Sequence, residues 1–111
     1  MLKKILESLF AANRWTRYRP KGSDESYELA VKYTSYVRNI FTLFINQQQV
    51  IEMKWGLSLT LMESEGEFEG KKIKMIGHYQ LLTKAFLIEV YFDEEKAAEF
   101  SFGRIQAPSM K

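Results

Sequence analysis

Cysteine is absent from the 111-residue chain, which excludes a disulfide framework, a thiolate nucleophile and a Cys-ligated zinc site. Histidine occurs once, as His78, too few for a histidine-rich metal centre. No stretch approaches the roughly 18 uninterrupted apolar residues of a membrane-spanning helix. The apolar start, Leu2 to Phe10, is interrupted by Glu7 and ended by Asn13 and Arg14, which argues against a secretory leader. No glycine-rich phosphate loop, nucleophile elbow or metal-ligand spacing is present. The expectation is a soluble, cytoplasmic chain with no cofactor, no metal and no catalytic residue.

What is present is ordinary in proportion, with 46% hydrophobic and 27% charged residues, and fits one globular domain over 1–111. The aromatic share of 14% is high. Either the core is built from rings or some rings serve a binding surface. Charge is unevenly placed. Residues 1–22 hold Lys3, Lys4, Arg14, Arg17, Arg19 and Lys21 against Glu7, a net +5, and residues 23–111 sum to −3.

Leu2, Ile5, Leu6, Leu9 and Phe10 recur at helical spacing and predict a short amphipathic N-terminal helix. It would cover its own domain or engage a partner's groove or a membrane surface. A basic-aromatic run follows, with Arg14, Trp15, Arg17, Tyr18, Arg19 and Lys21 in close succession. Guanidinium forks match phosphate oxygens and rings accept bases, so these six residues are candidates for binding nucleic acid or another polyanion. The competing reading is a basic linker whose two aromatics fold onto the core.

Ser23, Asp24 and Glu25 have the composition of a helix start. Leu29, Tyr33, Tyr36, Val37, Ile40, Phe41, Phe44 and Ile45 then recur at three-and-four spacing, which predicts a long helix from about Asp24 to about Gln47. Tyr27, Leu29, Val31 and Tyr33 also alternate, so a strand competes over 27–33. From Ile51 to Leu61 every odd position is apolar, the pattern of one long half-buried strand. Glu63 to Gly70 reads as a solvated turn, since it lacks the ligand order of a calcium loop.

Ile73, Met75, Gly77, Tyr79 and Leu81 alternate in a second strand, and Phe86, Ile88, Val90 and Phe92 in a third. After a turn at Asp93 to Lys96, Ala98, Phe100 and Phe102 continue the apolar face on a fourth, ending near Ile105. With a tight reversal at Thr83 and Lys84, Tyr79 faces Ile88 and Met75 faces Phe92, and the two apolar faces coincide. The resulting plan is α+β: a short N-terminal helix, a long helix, and a four-stranded antiparallel β-meander packed on the long helix. Residues 1–22 form a basic segment, 23–105 the helix-on-sheet core and 106–111 a flexible tail. In architecture alone this is similar to cystatin-like and nuclear transport factor 2-like (NTF2-like) domains.

Three functions are compatible with this plan. The first is a non-catalytic protein-protein interaction module, self-associating as a homodimer or larger homo-oligomer through the outer sheet face, with Ile76, His78, Leu87, Glu89 and Tyr91 as interface candidates. The second is polyanion binding through residues 14–21. The third is an apolar-ligand pocket between helix and sheet lined by Tyr33, Tyr36, Trp55, Tyr79 and Phe92. Catalysis would require Glu89 to orient His78 toward Ser58 or Thr60, hydroxyls with no activating context.

Overall fold

Alternation prevails over helical spacing wherever the two compete. The computed structural model describes residues 11–35, 38–56 and 59–103, and within them every regular element is a strand. The strands are β1 (Ala11–Tyr18), β2 (Tyr27–Thr34), β3 (Ile40–Ile45), β4 (Gln48–Lys54), β5 (Leu61–Phe68), β6 (Lys71–Gln80), β7 (Ala85–Phe92) and β8 (Glu95–Phe102). They form two four-stranded antiparallel sheets, β1-β2-β3-β4 and β5-β6-β7-β8, each a simple meander. No helix among the described residues is long and apolar enough to cross a membrane.

The α+β plan is therefore overturned, and with it the cystatin-like analogy. The long helix expected over 24–47 is two strands, β2 and β3. Its apolar residues are so dense that they satisfy either period, but β-branched and aromatic side chains favour the pleated one. The helix-start signal at Ser23 has a different use: the Ser23 hydroxyl accepts from the Glu25 amide at 3.0 Å, a local turn that leads into β2. The expected N-terminal helix falls on residues 1–10, outside the described residues, while Ala11 and Ala12 already belong to β1. Because β1 pairs along its whole length with β2, residues 11–18 are part of the sheet rather than of an appended segment.

The strand expected from Ile51 to Leu61 is also corrected. β4 ends at Lys54, and β5 begins at Leu61 in the other sheet. Alternation survives to Trp55, with Ile51, Met53 and Trp55 buried, whereas Leu59 and Leu61 are exposed. Glu63 to Gly70 is mostly strand; only Glu69 and Gly70 turn the chain. Glu65 and Glu67 stand opposite Lys74 and Lys72, so their charges are balanced across the ladder. In the β6–β7 hairpin Tyr79 faces Phe86 and Met75 faces Val90, two residues away from the expected register. A slip of two leaves every side chain on its expected face.

The two sheets repeat one design. Each contains a two-residue turn with both central residues at positive φ, Asn46-Gln47 between β3 and β4 and Asp93-Glu94 between β7 and β8, the backbone that matches the strands' own twist. The Asn46 and Asp93 side chains each accept from a backbone amide of the strand paired with the one they end, Glu28 and Lys72 respectively, at 2.9 Å. Their own amides donate to the same residues' carbonyls at 2.8 Å. Past each turn comes a bulge, at Val50 opposite Leu43 and Phe44, and at Ala97 opposite Val90 and Tyr91.

The sheets face one another across a shared core of Leu29, Val31, Leu43, Ile45, Met53, Ile73, Met75, Ile88 and Val90, each at most 1% exposed. At ~1.5–3 kcal/mol per large apolar side chain, this burial is the main favourable term in folding. The sheets meet where β4 runs beside β5 and β1 beside β8. The first seam depends on Gly66. A Cβ there would lie 2.9 Å from the Val50 carbonyl oxygen and 2.9 Å from Ile51 Cγ1, and backbone cannot give way as a side-chain tip can.

Gly66→Ala is expected to lower stability by about 1–3 kcal/mol through this overpacking. Gly103→Ala, where a Cβ would meet nothing within 4 Å, should change it by less than about 0.5 kcal/mol. Urea unfolding of both variants, with m-values compared, checks the difference.

Candidate ligand-binding site

Strand alternation distributes the basic-aromatic run over two faces. Arg14, Thr16 and Tyr18 stand opposite Val31, Leu29 and Tyr27 on the core side of the ladder, and Trp15 and Arg17 stand opposite Ala30 and Glu28 on the outer side. Trp15 is 63% exposed. Arg19 and Lys21 follow in the exposed connection to β2. Tyr18 packs its ring 5.1 Å from Phe92. Its enclosed hydroxyl has no well-aligned hydrogen-bond partner, and burial, with the Glu95 carboxylate beside it, pushes its pKa up to about 12.

The interface candidates Ile76, His78, Leu87, Glu89 and Tyr91 share the outer face of β6 and β7, all half-buried. His78 faces Leu87 directly, and it reaches Glu89 diagonally, with Nε2 to Oε1 at 3.3 Å. Lys96 contacts the second Glu89 oxygen at 3.4 Å and Glu99 at 2.6 Å. The Tyr91 hydroxyl donates to Glu89 at 3.3 Å. Burial pushes the Glu89 carboxyl up, but hydrogen bonds from His78 and Lys96 outweigh it and hold the group below its ordinary value. Thr60 lines the opposite side of the sheet from His78, next to Tyr79, and Ser58 lies outside the described residues. His78 and Thr60 are thus not brought together.

One end of the shared interior is open. There a cup of about 660 Å³ is walled by the rings of Tyr33, Trp55, Tyr79, Phe86 and Phe102. Every strand except β1 contributes at its end or in the adjoining loop, because meander topology brings alternate strand starts and ends to one rim. Beneath the cup, Phe41 is fully buried and stacks on Tyr33 at 4.6 Å. It also meets Phe86 edge-on at 5.0 Å, one of the arrangements that aromatic quadrupoles favour.

Trp55 is fixed on two sides. Its Nε1–H donates to the Leu59 carbonyl at 3.0 Å, and its six-membered ring lies against Gly77, where a Cβ would come within 2.6 Å of Cζ3. Tyr33 is held by its hydroxyl, which donates to Asn39 Oδ1 at 2.8 Å. Burial pushes the Tyr33 pKa up, against an opposing hydrogen bond to Ser35, so the phenol is neutral at physiological pH. The rim is Ser35, Arg38, Asn39, Leu59, Thr60, Leu81 and Lys84.

The chain matches no protein-family model, no curated protein and no solved structure. The cup is therefore interpreted from its own geometry. Of the pocket residues expected from sequence, Tyr33, Trp55 and Tyr79 line it. Phe92 lies instead in a second ring cluster with Tyr18 and Tyr27, and Tyr36 is outside the described residues. The pocket is formed between two sheets, not between helix and sheet. Leu59 and Leu81 continue the apolar alternation of the sequence but lie past the strand ends, and Arg38, Asn39 and Lys84, in connections or turns between strands, carried no periodic signal.

Glu89→Gln is expected to destabilise the protein at neutral pH. A depressed folded pKa means that the carboxylate's contribution is fully present above the ordinary value of 4.5 and is lost as pH falls through the folded pKa. The stability gap between parent and variant should therefore close on acidification. Unfolding curves from pH 7 to pH 2 check this; a gap independent of pH would contradict it.

Proposed function

We propose that the chain is a non-catalytic binding protein whose cup holds one small molecule with an apolar body. The observation that carries this reading is a concavity within the ~300–1,000 Å³ range of ligand sites, walled by five aromatic rings and rimmed by a few polar groups. Exposed leucines extend the apolar surface outward, with Leu59 45% and Leu81 68% accessible. A solvated rim gains nothing from leucine, whereas an entrance for an apolar molecule does. The anchoring of Trp55 and Tyr33 supplies preorganisation, so little ordering cost is left for the ligand to offset.

The chain has two tryptophans, Trp15 and Trp55, of which only Trp55 lines the cup. In a Trp15→Phe background, the uncharged probe N-phenyl-1-naphthylamine should quench Trp55 by energy transfer, saturating at one probe per chain. Thr60→Phe, which places a ring in the cup from an exposed position, should weaken that binding at least about tenfold, the equivalent of ~1.4 kcal/mol. Non-saturating transfer, or affinity unchanged by Thr60→Phe, would refute the reading.

A second reading is self-association through the outer face of β5–β8. It is supported by a depression of about 220 Å³ on that face among Lys72, Lys74, Ile76, Tyr91 and Glu94. It expects a solution mass that rises with concentration and a Tyr91→Lys variant that stays monomeric; a single monomeric mass throughout the range would dismiss it.

A further inference from the structure

The polar part of the cup has one sign of charge. Arg38 and Lys84 line it and, among the described residues, no aspartate or glutamate does, although the chain carries fourteen acidic residues. A third cation stands beside it, with the Arg14 guanidinium carbon 5.3 Å from the centroid of the Phe102 ring, near enough for a cation–π contact. The two cup cations leave from defined points. Lys84 is at positive φ, 56°, and its amide donates to the Gln80 carbonyl at 2.7 Å. Arg38 Nη2 is 3.5 Å from the Trp55 carbonyl, a long contact that leaves most of the guanidinium's five donors available.

Resting on the reading of the cup as a ligand site, we propose that its ligand is an amphiphilic anion: a flat apolar body against Tyr33, Trp55, Tyr79, Phe86 and Phe102, with one carboxylate- or sulfonate-like group held at the mouth by Arg38 and Lys84. Guanidinium and ammonium donors match an oxyanion and hold it more strongly than an uncharged acceptor. A cationic ligand is disfavoured for the same reason that an anionic one is favoured: among the described residues the wall holds like charge and no carboxylate to balance it.

The test uses two probes that share one ring system. N-phenyl-1-naphthylamine is uncharged, and 1-anilinonaphthalene-8-sulfonate adds a single sulfonate to the same body. Both are titrated against the Trp15→Phe chain by energy transfer from Trp55. The sulfonate probe is expected to bind at least about fivefold tighter at low salt, with the preference shrinking as salt screens it. In Arg38→Gln/Lys84→Gln the ratio of the two affinities should fall to about twofold or less. Saturable binding of the uncharged probe with no preference for the sulfonate, or a preference that survives the double substitution, overturns the anionic assignment and leaves the cup reading intact. Binding of neither probe overturns both.

Discussion

Every second residue of the central strands β2, β3, β6 and β7 belongs to one interior, and that constraint shapes the rest of the molecule. A strand gives one face to the core and one to solvent, so two four-stranded sheets can share a dry centre only if eight inward faces agree. They agree here: Leu29, Val31, Leu43, Ile45, Ile73, Met75, Ile88 and Val90 are all fully buried, and among the described residues no polar or charged residue is buried. The bulges at Val50 and Ala97 disturb pairing without exchanging faces beyond them, since Met53 and Phe100 still point inward. Bulges increase local twist, and each lies in an edge or near-edge hairpin where the sheets must curve toward one another.

The same constraint decides which surfaces can act together. A run of cations and rings that is contiguous in sequence becomes, in a strand, two half-sized sets on opposite sides. Arg14 is directed to the core side and approaches Phe102, while Trp15 and Arg17 are directed outward. Chemistry that needs all six residues from Arg14 to Lys21 on one surface is poorly served by this arrangement. Conversely, residues far apart in sequence, such as Arg38 and Lys84, reach one rim because the meander returns alternate strand ends to the same edge of the molecule.

How far the sequence disclosed this structure depended on whether a stretch satisfied one period or two. Ile73 to Phe102 alternates cleanly, and β6, β7 and β8 were legible with their faces, if not with their exact register. Residues 27 to 45 contain enough apolar side chains to satisfy helical spacing as well, and the hydroxyl and acids at 23–25 suit a turn as well as a cap. The break between Trp55 and Leu61 had no signal at all, because Leu57, Leu59 and Leu61 keep the apolar alternation going past the end of β4. The duplicated turn was visible in principle: Asn46-Gln47 and Asp93-Glu94 are chemically alike and both follow an alternating apolar run. Of the cup, the rings on core-facing positions were recoverable, but its cations lie in turns and connections, where periodicity has nothing to say.

Why the interior stays open at one end and not uniformly filled follows from two glycines. At Gly66 the missing side chain lets β5 approach the Val50 carbonyl, so the seam beside β4 can close. At Gly77 the missing side chain is replaced by the Trp55 ring, which lies where a Cβ and its substituents would have stood. A large side chain at position 77 would have projected inward between Met53 and Trp55 and driven the indole toward the mouth. With glycine there, the indole is drawn down onto the sheet and tied to the Leu59 carbonyl, and the space above it is not reoccupied by another large core residue. The cup is thus the counterpart of tight packing beneath it: the closer Trp55 lies to β6, the more room remains between the rings of Tyr33, Tyr79 and Phe102.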